Sequence, residues 1–127
     1  MEKKIKILLA EDDLQLIDMY KKKFELEGFD VTLAEDGKKT LAILEEERPD
    51  IVLLDIMMPE INGIEVLKNI RENDETKDLL VIILTNLSNE STAEEIYRYG
   101  ATDYLVKAEL TPIQVVDKVK EILKIYQ

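Results

Sequence analysis

Three consecutive carboxylates, Glu11, Asp12 and Asp13, follow directly on the apolar run ILLA at 7–10. A fourth, Asp55, follows IVLL at 51–54, while Thr85 ends LLVIILT and Lys107 ends DYLVK. Carboxylates crowded within a few ångströms raise one another's pKa, and a bound cation relieves the conflict. An all-oxygen ligand set in a chain with no His and no Cys calls for a hard ion, Mg²⁺ or Ca²⁺. The set is sparse and lacks the D-x-D-x-D-G pattern of a calcium loop. That favours Mg²⁺, which keeps waters and pairs with phosphate. A carboxylate beside Mg²⁺ can attack phosphorus and form an acyl phosphate, the chemistry open to Asp55. The Thr85 hydroxyl can donate to a phosphoryl oxygen, and the Lys107 ammonium can move between Asp55 and an incoming phosphoryl group.

Each of these groups also has a plainer role. An Asp before a helix is commonly its cap, and that is the better reading of Asp13. Two caps are not needed, so Glu11 and Asp12 are left for the cation. Asp55 is no cap, because the loop DIMMPEING carries the chain to Gly63 before helical spacing begins. A strand-end Thr or a single Lys says little alone; together, at the ends of different strands, they say much more.

These groups can meet only if their strands are neighbours. IKILLA (5–10), VTLA (31–34), IVLLD (51–55), LLVIILT (79–85) and DYLVK (103–107) are short, rich in Ile, Val and Leu, and hardly alternate. Strands buried on both faces have that composition. Helical spacing fills the gaps. Leu14, Ile17, Tyr20 and Phe24 form one stripe, closed by Gly28. Leu41 and Leu44 share a second, and Ile64, Leu67 and Ile70 a third. Ala93, Ile96 and Tyr97 line a fourth, closed by Gly100. Val116, Val119, Leu123 and Tyr126 form the last, with Pro112 in its first turn. Five β-α repeats predict an α/β layer fold with a parallel sheet and right-handed crossovers. Such sheets bind ligands beyond the carboxyl ends of their strands, where Glu11, Asp12, Asp55, Thr85 and Lys107 fall. No linker or low-complexity tract interrupts the pattern. The last helix is expected to reach Gln127, so residues 1–127 read as one domain.

Composition narrows the function. The net charge of the 127 residues is −11, whereas a nucleic-acid surface is basic. The cluster Lys21–Lys23 suits a solvated helix face, so direct nucleic-acid binding is not expected. Without Cys there is no disulfide or thiolate chemistry, and without His the commonest general base is missing. The N-terminal MEKKIKILLAEDD does not have the form of a signal peptide, and no apolar run reaches membrane-spanning length. A soluble cytoplasmic protein is expected.

ILLAEDD, IVLLDIMMPEINGIEVL, VIILT and GATDYLVK, in this order and spacing, resemble the receiver domain of two-component response regulators, the CheY-like family. The resemblance covers essentially the whole chain. It implies a flavodoxin-like, doubly wound (βα)5 sheet with strand order 2-1-3-4-5. It implies that Asp55 is the phosphoacceptor, and that Glu11, Asp12, Asp55 and the main-chain carbonyl of Met57 hold Mg²⁺. Thr85 is then the switch hydroxyl that moves toward the phosphoryl group, and Lys107 the lysine that bonds it. Tyr104, otherwise an ordinary strand tyrosine, is the switch aromatic that turns inward as Thr85 moves. The implied donor is a sensor histidine kinase or histidine phosphotransfer protein. The implied output is partner binding by the face of the fourth helix, fifth strand and fifth helix, as a monomer or a phosphorylation-dependent dimer. The implied role is a signalling phosphoacceptor, not an enzyme beyond self-catalysed phosphoryl transfer and autodephosphorylation.

Two positions depart from the family pattern. Ala108 stands where a proline in a cis peptide usually follows the lysine. A cis bond before a non-proline residue costs about 3–4 kcal/mol, so Lys107–Ala108 is expected to be trans. Asn86 stands where a small Ala is typical, beside the approach to Asp55, and slower phosphoryl exchange than in Asn86→Ala is expected. Met57 and Leu87 flank the same approach and offer no acid to orient a hydrolytic water. Rival readings fit less well. A flavin-binding domain of this topology needs a phosphate-cradling loop after the first strand, where this chain has three carboxylates. A phosphatase with an aspartyl nucleophile needs an acid two residues on, where Met57 stands. The glycines of a P-loop or GxGxxG nucleotide site are missing. A phosphorylation-independent interaction domain of the same fold is the remaining alternative, and the intact set of acids argues against it.

Overall fold

A computed structural model describes residues 4–87 and 89–126, the side chain of Tyr126 excepted. Gln127 lies outside the described residues. Alternate residues of the central strands feed two separate cores, as the two-residue period of a pleated strand requires. In β1 (Lys6–Ala10), Ile7 and Leu9 enter one core and Leu8 and Ala10 the other. β3 (Ile51–Leu54) and β4 (Leu80–Thr85) divide the same way, Ile51, Leu53, Ile82 and Leu84 against Val52, Leu54, Val81 and Ile83. Both faces of these strands are covered, which is why their hydropathy does not alternate. β2 (Asp30–Ala34) and β5 (Asp103–Val106) are the edges and are only partly buried.

All neighbouring strands are parallel, and their order is β2-β1-β3-β4-β5. α1 (Leu14–Leu26) and α5 (Pro112–Tyr126) cover one face; Tyr20, Phe24, Val116 and Val119 belong to its core. α2 (Gly37–Glu46), α3 (Gly63–Glu72) and α4 (Glu90–Arg98) cover the other with Leu44, Val66, Leu67, Ile70 and Ile96. This is the doubly wound fold expected from the sequence, with strand ends moved by about one residue. No described helix is long and apolar enough to cross a membrane.

Among the stripe residues whose side chains are described, which leaves out Tyr126, two do not face the core. Leu14 is 69% exposed; the buried stripe is Ile17, Tyr20 and Phe24, with Leu16 packed against the core beside it. Tyr97 is 47% exposed. The short α4 buries only Ile96 among its described residues, and Tyr97 turns outward to donate to Asp103 Oδ1 at 3.0 Å.

Local chemistry sets the helix starts. Asp13 accepts from the N–H groups of Gln15 and Leu16 at 2.9 and 3.3 Å, the capping role expected of it. Asp36, Asn62 and Asn89 cap α2, α3 and α4. Thr111 and Gln114 exchange bonds at the start of α5, the Gln114 N–H to Thr111 Oγ1 and the Thr111 N–H to Gln114 Oε1. That reciprocal pair is a capping box written in the sequence TPIQ. The expected stops Gly28 and Gly100 have φ of +91° and +101°.

One side chain sits against its backbone preference. Glu60, in the loop between β3 and α3, has φ of 65°, a conformation that costs an L-residue roughly 1–2 kcal/mol. Glu60→Gly removes that cost at some loss of chain entropy. It is expected to raise the unfolding free energy by about 1 kcal/mol, measured by urea denaturation.

Candidate functional site

Ala10 pairs with Leu54 across β1 and β3, so the residues that follow, Glu11 and Asp55, leave the sheet side by side. The Asp55 N–H still bonds the Ala10 carbonyl at 3.0 Å. β1 has β2 on one side and β3 on the other, so this is the point where strand order reverses and a crevice opens. Here Glu11, Asp12 and Asp55 each present a carboxylate oxygen, all within 4.8 Å of one another. Glu11 and Asp55 are 2% and 5% exposed; Asp12 is open to solvent.

Lys107 follows β5, which is separated from β3 by β4, and its long side chain reaches across. Its Nζ donates to Asp55 Oδ2 at 2.9 Å and pairs with Glu11. Backbone donors fix the carboxylates. The Met57 N–H donates to Asp55 Oδ1 at 3.1 Å. The N–H groups of Asp12 and Asp13 donate to Glu11 Oε2 at 3.0 and 3.3 Å. Burial pushes Glu11 up to about 7; Lys107 opposes this shift and the Asp55 carboxylate adds to it. Burial alone would lower Lys107, but its bonds to Glu11 and Asp55 outweigh it and raise the ammonium's pKa. One ammonium thus serves two buried acids, and the donor set suits a hard divalent cation.

Residues 7–120 match the family profile of the response regulator receiver domain. The chain belongs to this family. The transcriptional regulatory protein CpxR of Klebsiella pneumoniae is 39% identical over 119 residues, 94% of this chain and 49% of CpxR. The chain spans about half the length of the curated relatives it matches. Among solved structures, the receiver domain of the Francisella response regulator 1452 superposes with a TM-score of 0.88 at 32% identity, covering 97% of this chain and 99% of that one. The BeF3-activated DrrB receiver domain gives 0.85 at 28% identity, covering 96% and 99%.

In this receiver domain Glu11, Asp12, Asp55 and Lys107 converge, and Asp13 departs as the cap of α1. Thr85 ends the strand beside β3. It is fully buried, and its Oγ1 has no hydrogen-bond partner among the described residues. A buried hydroxyl without a partner costs roughly 1–3 kcal/mol. Thr85→Val keeps the shape and deletes that hydroxyl. It is expected to raise the stability of the domain by about 1 kcal/mol in thermal unfolding. Tyr104 is partly buried against the core under α2, α3 and α4, and its hydroxyl donates to the Leu87 carbonyl.

The Lys107–Ala108 bond is trans, as expected from the missing proline; no described peptide bond is cis. Three features of the site are not visible as sequence patterns. One is the Met57 N–H on Asp55. Another is the closeness of Gly63 to the Asp55 carbonyl. The third is a bond from the Ala108 N–H to Asn86 Oδ1 at 3.0 Å. Each depends on loop conformation and has no periodic signal.

Proposed function

We propose that this receiver domain is a phosphoacceptor in which Asp55 takes a phosphoryl group from a phosphohistidine of a sensor histidine kinase or histidine phosphotransfer protein. A carboxylate oxygen of Asp55 bonds to phosphorus, the phosphorus–nitrogen bond breaks, and the imidazole departs with a proton. Glu11, Asp12, Asp55 and the Met57 carbonyl would hold Mg²⁺, which offsets charge on the phosphoryl oxygens. The observation that carries the proposal is the convergence of three carboxylates within 4.8 Å with the Lys107 ammonium at 2.9 Å from Asp55.

The residues around Asp55 have matching tasks. A phosphoryl group adds about −1.5 to −2 charges at neutral pH. Lys107 can transfer its bond from the carboxylate to a phosphoryl oxygen. Thr85 has an unused donor, and a phosphoryl oxygen would satisfy it. Its movement would vacate space for Tyr104, whose hydroxyl must then leave the Leu87 carbonyl. A local charge event of this kind biases a two-state element, here the face formed by α4, β5 and α5. Through that face the domain would bind an effector, as a monomer or a phosphorylation-dependent dimer. Its relative CpxR is a transcriptional regulatory protein. The strongly acidic charge of this chain favours an output carried by protein contact over direct contact with DNA.

Intact-mass analysis after incubation with acetyl phosphate and Mg²⁺ tests the proposal. One added phosphoryl group is expected on the wild type and none on Asp55→Asn. An unmodified wild type would instead favour a phosphorylation-independent interaction domain.

A further inference from the structure

The main chains of β4 and β5 stay paired as far as Thr85 and Val106. Beyond that rung they separate, and the chain enters a short 3-10 turn at Lys107–Glu109. Besides the bond from Tyr104 to the Leu87 carbonyl, one side-chain bond among the described residues reaches the turn itself. The side chain of Asn86 accepts from the Ala108 N–H at 3.0 Å, doing for one further residue what the ladder did with backbone carbonyls. Lys107 lies between the last ladder residue and this bond. On its far side the 3-10 turn closes with a long bond from the Leu110 N–H to the Lys107 carbonyl at 3.3 Å. Asn86 and Ala108 are both exposed, while Leu110, just past the turn, packs against the core.

A lysine side chain is long and flexible, so its main-chain anchor decides whether Nζ reaches a distant acceptor. Here Nζ must reach Asp55 and Glu11 together. We propose that Asn86 is a positioning residue, which fixes the turn after β5 through Ala108 and so holds Lys107 over the site. This rests on the reading of Asp55 as phosphoacceptor and deepens it. Asn86 also directly follows Thr85, so one side chain links the strand end carrying the hydroxyl to the turn carrying the lysine. An Asn here needs an N–H at residue 108, which Ala108 supplies and proline would not.

The bond reverses the order expected from side-chain bulk at position 86, where wild type would exchange the phosphoryl group more slowly than Asn86→Ala. Asn86→Leu keeps the size and loses the acceptor; Asn86→Ala loses both; Asn86→Asp keeps the acceptor. Amide hydrogen exchange by NMR on the unmodified domain is expected to show Ala108 exchanging about tenfold faster in the Leu and Ala variants, with protection retained in Asn86→Asp. The Lys107 side-chain resonances are expected to shift toward those of a solvated lysine in the first two variants only. Adduct formation from acetyl phosphate and Mg²⁺ is expected to slow about three- to tenfold in both Leu and Ala. Unchanged Ala108 exchange, unmoved Lys107 resonances, or a Leu variant as fast as wild type with a faster Ala variant would overturn the proposal; the last result would assign Asn86 a purely steric role. A wild type that forms no adduct would defeat the phosphoacceptor reading, and the two NMR readouts would still decide whether Asn86 holds Lys107.

Discussion

Lys107→Met is expected to lower the unfolding free energy by about 3 kcal/mol at neutral pH without Mg²⁺, and Mg²⁺ is expected to restore much of the loss. The Lys107 side chain is itself only 8% exposed and bonds two acids that are almost fully buried. Removing one partner of a buried ion pair leaves the other uncompensated, which costs more than the pair contributes when intact. Two carboxylates would then face each other. Glu11, already raised to about 7, would rise further and take up a proton, which limits the loss. If Mg²⁺ occupies the folded carboxylate cluster, as proposed, and not the unfolded chain, it stabilises by mass action. Urea titrations of wild type and Lys107→Met, each with and without Mg²⁺, measure both effects. A variant as stable as wild type, or a loss that Mg²⁺ leaves untouched, would mean that the acids are not held together as described.

Gly63→Ala is expected to cost about 3 kcal/mol and to slow phosphoryl transfer to Asp55 severely. A methyl group on Gly63 would sit 2.3 Å from the Asp55 carbonyl oxygen and 2.6 Å from the Ile56 Cα. Both obstacles are backbone, so no flexible side chain can yield. The Gly63 N–H also donates to the Ile56 carbonyl at 2.9 Å, which pins the start of α3 to the segment carrying Asp55. Relief of the clash must therefore move either the helix or Asp55. Displacement of a reacting group by about an ångström is enough for a large loss in rate. Denaturant unfolding and intact-mass time courses on the same samples separate the stability loss from the misplacement. A stable variant that accepts a phosphoryl group at the wild-type rate would show that the loop has slack at this position.

The architecture and most of the site are legible in the residues themselves. Uninterrupted Ile, Val and Leu in five short runs can be satisfied only by strands covered on both faces, and helical spacing between them leaves a doubly wound sheet as the consistent arrangement. Because ligands in such sheets gather beyond the strand ends, Glu11, Asp12, Asp55 and Lys107 could be grouped before any coordinates. Asp13 could be separated from them because a helix needs a cap. Edges and surfaces were less legible. Spacing alone puts Leu14 and Tyr97 on apolar stripes, but only the position of each helix over the sheet decides how much of a stripe is covered.

Tertiary structure alone decided what holds the site in place. The register that sets Ala10 against Leu54 brings two acids from distant parts of the chain side by side. The fold buries Thr85 Oγ1 without a partner, presses Gly63 against Asp55 and lets Asn86 bind the N–H that Ala108 keeps in place of a proline. The physical reason is one of range. Hydropathy period, capping and turn chemistry act between residues a few positions apart and are written in local order. Hydrogen bonds and backbone contacts across 8 to 22 positions (Gly63 to Asp55, Ala108 to Asn86) arise only once the sheet has set the strand ends together.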